Sequence, residues 1–184
     1  LLVSIITFGA EVKLELPYTS ASNIEWKDLH VSGATPMGTA FKMAKGMIED
    51  KQTTPSRAYR PTIVLVSDGA PNDEWQRPLQ AFVNEGRSSK CDRMAMAIGT
   101  SADNNVLNRF VEGTENKVFT AKESTEIKKF FQFVTMSVTT RTASQNPNSL
   151  PTQKEIKDIS PAAKALVDSV EESMSVEDSE SDFI

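Results

Sequence analysis

The sequence predicts an α/β domain: a doubly wound, mostly parallel sheet with helices on both faces and one antiparallel edge strand. Three observations carry that expectation. Short apolar runs such as "LLVSIITFG" and "PTIVLVS" are strand-sized and unbroken by polar alternation, as in strands covered on both faces. Between such runs, segments with apolar residues at helical spacing recur in the order β, β, α, β, α, β, α, β, α. Helices that alternate this regularly with strands imply parallel pairing through right-handed crossovers.

The elements follow in order. "LLVSIITFG" is a continuous apolar strand closed by Gly9, and "EVKLELPYT" alternates at Val12, Leu14 and Leu16, so the two form a hairpin through "GAE". Pro17 has no backbone N–H and places the second strand at an edge. From Pro36 to Asp50, Met37, Ala40, Phe41, Ala44, Met47 and Ile48 fall on one helical face, with Thr35 as the expected N-cap and Pro36 at the first helical position. "PTIVLVS" is the next buried strand. Trp75, Leu79, Phe82 and Val83 then mark a helix whose first turn Pro78 should disturb. "RMAMAIG" is a small-residue strand, "ADNNVLNRFVEG" a short helix capped near Asp103 and stopped by Gly113, and "KVFTA" a brief strand. "STEIKKFFQFVTMSV" is a helix with Ile127, Phe130, Phe131, Val134 and Val138 on its apolar stripe.

This places a domain over residues 1–140. A Ser-, Thr-, Asn- and Pro-rich linker follows over 141–159, and then residues 160–184 carry a short amphipathic helix and an acidic tail. Ser160 would cap that helix, with Ala163, Leu166, Val167, Val170 and Met174 on one face, free to dock on a partner or on its own domain.

Composition excludes several classes. The 184 residues suit one domain with a real core, and 39% hydrophobic with 24% charged residues are globular values. A net charge of −5, with six acidic residues and no basic one from Glu171 to Ile184, argues against nucleic-acid binding, which needs Lys and Arg on phosphates. Nothing approaches the roughly 20 apolar residues needed to cross a bilayer, so no membrane role is expected. One cysteine, Cys91, and one histidine, His30, rule out a cysteine- or histidine-pair metal site and argue against a Ser-His-Asp triad; a cytoplasmic location is expected. Cys91 reads as a small buried residue, His30 as a loop residue and the methionines as packing.

In a parallel α/β sheet, ligands bind beyond the carboxyl ends of the strands. There the sequence places "SGATPMGT", ahead of the first helix, and "SDGAPND", directly off the next strand. A rigid strand would hold the Asp68 carboxylate at the rim, and Gly69 and Pro71 shape the turn. Thr and Asp oxygens suit a hard cation such as Mg²⁺, which takes near-octahedral oxygen geometry. On local evidence alone, Thr35 serves equally as a helix cap and Asp68 as a turn cap; Asp73 reads as the N-cap of the following helix.

"VSIITFG", "GATPMGTAF" and "VLVSDGAPND" resemble, in order and spacing, the von Willebrand factor type A (VWA) domain over about residues 1–140. The resemblance implies a Rossmann-like fold with a metal-ion-dependent adhesion site built from an Asp-x-Ser-x-Ser loop, a Thr and an Asp. Thr35 and Asp68 would be the Thr and Asp ligands of Mg²⁺ (or Mn²⁺ or Ca²⁺), leaving one position for an Asp or Glu of a protein partner. No Asp-x-Ser-x-Ser occurs in these residues. Family topology puts its strand between "VSIITF" and "TIVLVS", so a chain lacking its first strand and helix is expected. "VSIITFG", the Pro-Met-Gly-Thr loop and "FFQFVTMSVTTRT" look most like bacterial cytoplasmic VWA proteins, including those near tellurite-resistance gene clusters, which accompany a kinase and a phosphatase.

These residues imply a binding module rather than an enzyme: no phosphate loop, dinucleotide fingerprint or nucleophile elbow is present. The competing readings are a metal-free scaffold acting through its tail and, behind it, a metal-dependent phosphoryl-transfer enzyme using Asp68.

Overall fold

The computed structural model describes residues 1–29, 32–144, 148 and 161–175. The expectations for His30, Ser160 and the acidic tail fall outside these residues, as does most of the 141–159 segment. Contacts divide the chain into two units. One comprises residues 1–58 and 69–90, the other 59–68 and 91–184.

In the first unit, β1 (Leu2–Phe8) pairs antiparallel with β2 (Val12–Ser20) in a two-stranded sheet. The register shifts around Ser4, where Pro17 and Tyr18 face one residue, and the Ser4 hydroxyl donates to the Leu16 carbonyl at 2.7 Å. Pro17 offers no N–H to the ladder, so the strand accommodates it in a bulge. β1 was expected to be buried on both faces, yet none of its residues is fully buried. Its one paired neighbour is β2. α1 (Met37–Glu49) and α2 (Gln76–Asn84) pack together, burying Met37, Phe41, Leu79 and Phe82, with the Phe41 and Phe82 ring centroids 6.0 Å apart. Pro78 does not disturb α2: it sits in the first turn, where its missing N–H would have had no helical acceptor.

Lys45 fastens this unit. Its ammonium donates to the Glu85 carbonyl at 2.7 Å and the Ser88 hydroxyl at 2.9 Å, while the Glu49 carboxylate accepts from the backbone N–H of Arg87 and Ser88. The end of α1 and the segment after α2 are thereby joined by charge-assisted bonds, stronger than neutral ones.

In the second unit, β3 (Thr62–Ser67), β4 (Asp92–Ile98) and β5 (Val118–Ala121) form a parallel sheet in that order. β4 is central and almost wholly buried, which is why it reads as an unbroken small-residue run. Because Met96 pairs with Phe119, side chains of like parity share a face. Met94, Met96, Phe119 and Ala121 pack against α4 (Ser124–Ala143) and α5 (Pro161–Ser175). Ala95, Ala97 and Val118 point to the other face, where α3 (Asn104–Val111) buries Val106, Leu107 and Phe110. Helices therefore cover both faces of the parallel sheet, as the periodicity implied.

One expectation is corrected here. The buried stripe of α4 runs through Phe130, Phe133 and Ser137 to Arg141, whereas Phe131 is 46% exposed. Phe130 and Phe131 are adjacent and cannot both face the sheet; Phe130 stacks on Phe119 with centroids 5.3 Å apart and takes that place. Of the two docking sites open to the last helix, α5 takes its own domain: Val167 and Val170 are buried in the same core as Phe119 and Phe130, and Ala163 is buried too. The apolar face read from the sequence is used within the chain.

Candidate functional site

The two predicted site residues lie in different units, Thr35 in the first and Asp68 in the second. Asp68 follows Ser67 at the carboxyl end of β3 and is exposed. Its carboxylate makes no hydrogen bond among the described residues, so the strand end presents it to solvent at the rim. Ser67, the last strand residue, is buried opposite Ala97 of β4.

Thr35 is held by its backbone. Its N–H donates to Asn72 Oδ1 at 3.0 Å, and its carbonyl accepts from the Asn72 N–H at 3.1 Å and from Met37 at 2.8 Å. The hydroxyl makes no hydrogen bond among the described residues. A Cβ added at Gly69 would lie 3.1 Å from Thr35 Oγ1, so glycine there leaves the hydroxyl room.

Thr35 was expected to cap α1, and it does not. The N-cap position falls on Pro36, which has no side-chain donor or acceptor. The open N–H groups of the first turn are satisfied instead by Asp73: Gly38 donates to Oδ1 at 2.8 Å, and the Thr39 N–H and hydroxyl donate to Oδ2 at 2.8 and 2.9 Å. A carboxylate at a helix N-terminus also complements the positive end of the macrodipole. Asp73 consequently does not cap α2, whose N-cap residue is Trp75. A Cβ at Gly38 would run into the Glu74 carbonyl, so only glycine lets the two segments approach so closely.

Sequence reasoning missed Asn72. The available signal was an Asn directly after Pro71 in a turn, since Asn side chains readily take backbone partners; nothing local indicated that the partner would be Thr35.

The model of the von Willebrand factor type A domain matches residues 2–133. The chain belongs to that family. No curated protein and no solved structure matches it. VWA domains are commonly protein-interaction modules and often bind a divalent cation. The Thr35 hydroxyl and the Asp68 carboxylate are each hard-oxygen donors of the type such an ion takes, and neither has a hydrogen-bond partner among the described residues. Among the described residues, no group of three or more His, Cys, Asp or Glu side chains is gathered into a metal site, and no helix is long and apolar enough to cross a membrane.

Away from these loops, a buried polar cluster sits at the amino end of β4. Asn116 Nδ2 donates to Asp92 Oδ1 at 2.9 Å and to the Arg93 carbonyl at 2.8 Å. Arg93 donates to the carbonyls of Phe110 and Glu112, both at 2.7 Å, satisfying the end of α3. Burial pushes the Asp92 carboxyl up, against the opposing pull of the Arg141 charge and the Asn116 bond. This cluster holds helix ends and strand starts in register.

Proposed function

We propose that this VWA domain is a metal-dependent protein-interaction module, not an enzyme, in which Thr35 and Asp68 give oxygens to a Mg²⁺-type ion (or Mn²⁺ or Ca²⁺). The observation that carries the reading is that both side chains end in oxygens with no hydrogen-bond partner among the described residues, while the Thr35 backbone is held by Asn72. Thr35 would hold such an ion through a neutral oxygen and Asp68 through a charged one; the ion would supply the positive charge that an Asp or Glu of the partner protein recognises. In this reading the remaining ligands, the family's Asp-x-Ser-x-Ser, lie outside these 184 residues.

The setting we propose is a bacterial cytoplasmic stress-response or signalling complex of the tellurite-resistance kind, with a kinase or phosphatase as partner. Calorimetric titration of the full chain with such a partner tests the function: binding in Mg²⁺, its loss in chelator and its loss in Asp68→Ala are expected. Equal binding with and without chelator would sink it.

The tail-scaffold reading is the weaker one because α5 spends its apolar face on its own sheet. Were the tail the working part, deleting residues 150–184 would abolish partner capture while chelation changed nothing. Turnover of a phosphorylated substrate, lost in Asp68→Asn, would support the enzyme reading instead.

A further inference from the structure

The loop that begins at Gly69 also governs the segment ahead of α1. We infer that Asn72 is the positioning residue for Thr35, fixing its backbone on both polar groups while the hydroxyl has no hydrogen-bond partner among the described residues. The inference rests on the reading of Thr35 as a cation ligand and names what holds that ligand in place.

Asn72 engages both polar groups of the Thr35 backbone, accepting its N–H on Oδ1 at 3.0 Å and donating its own N–H to the carbonyl at 3.1 Å. Pro36 restricts Thr35 further, since the residue before a proline is pushed out of the helical region. Asp73 ties the next step of the same loop to Gly38 and Thr39, and the absent side chain at Gly38 lets the Glu74 backbone close in. Residues 35–39 and 72–74 are thus joined at Thr35 and again at Gly38 and Thr39. The Thr35 hydroxyl faces the space that Gly69 keeps open. A ligand held by such outer contacts binds its ion without first having to be ordered.

Two measurements on the full chain test this. By amide hydrogen exchange, the Thr35 N–H is expected to be protected, and Asn72→Leu, which keeps the size and removes the acceptor, should speed its exchange about tenfold or more while Asp68→Ala leaves it alone. By Mn²⁺ titration, Asn72→Leu should weaken binding about tenfold, and Asn72→Asp, which keeps Oδ1, should restore it to within roughly threefold. In a Thr35→Ala background, Asn72→Leu should add less than about twofold, because both changes act through one hydroxyl. Unchanged Thr35 exchange in Asn72→Leu overturns the inference, and so does a full loss of affinity persisting in the Thr35→Ala background. If Asp68→Ala and Thr35→Ala both leave Mn²⁺ binding as it was, the cation reading fails, and Thr35 exchange still decides whether Asn72 holds that residue.

Discussion

Asp73 serves a helix that precedes it in the chain, accepting from three donors on Gly38 and Thr39, 35 and 34 residues earlier. Removing it leaves the first turn of α1 with unsatisfied N–H groups beside the buried Met37. Asp73→Ala is expected to lower the unfolding free energy by about 1–2 kcal/mol, the range of a lost helix cap, as read from urea denaturation. Asp73→Asn retains one acceptor oxygen and should lose less. If the alanine variant unfolds at the same urea concentration as the parent, the carboxylate contributes nothing to the helix. Sequence spacing allowed Asp73 to cap either neighbouring helix. The choice was decided by which N–H groups came within 3 Å, and that depends on how the loop folds against α1.

The elements themselves were largely legible, because helix and strand periods are written in local hydrophobic spacing. α3 begins after Asp103, whose carboxylate accepts from Asn105 at 2.9 Å as the capping signal implied, and β4 and β5 lie where the apolar runs stand. Which face of α4 is inward was not legible, since Phe130, Phe131 and Phe133 give two overlapping stripes. The structure selects Phe133, and truncation tells the stripes apart: Phe133→Ala is expected to cost about 3–5 kcal/mol, whereas exposed Phe131→Ala should cost well under half of that. Equal losses in thermal or urea unfolding would contradict the assignment. α5 gives a second case. Val167→Asp places a charge in the core shared with Phe119 and Phe130, and it should release the helix, seen as faster amide exchange across α5 and the facing turns of α4. Lys164→Asp, on the exposed side, should leave exchange unchanged.

For the whole molecule, the pH dependence of stability includes opposed contributions, of which Asp92 and Glu49 are examples. Burial raises the Asp92 carboxyl, so the folded chain keeps a proton that the unfolded chain has released. Stability therefore falls as pH rises from the ordinary Asp range, near 4, through the raised folded value. Glu49 runs the other way. Partial burial raises its carboxyl, but the Arg87 and Ser88 N–H groups and Lys45 outweigh that and hold it below its usual range. Its contribution, reduced by solvent exposure, is present above the ordinary Glu range and is lost as pH falls through the folded value. Asp92→Asn keeps an acceptor for Asn116 and should flatten the decline of stability above pH 4, measured as urea midpoints across a pH series. An unchanged slope would mean that Asp92 does not titrate differently on folding.

The sequence by itself determined the order of the elements, the α/β class, the two loops with Thr35 and Asp68, and a charge balance unsuited to nucleic acid. Each of these is a local property, set by side-chain period, turn residues and composition. Only the tertiary structure decided that Asp73 caps α1, that Asn72 holds Thr35, that Phe133 rather than Phe131 enters the core, and that α5 lies on its own sheet. Those outcomes turn on partners tens of residues away. A carboxylate, an amide or an apolar face is satisfied by whichever complementary group folding brings within reach, and spacing along the chain does not name that group.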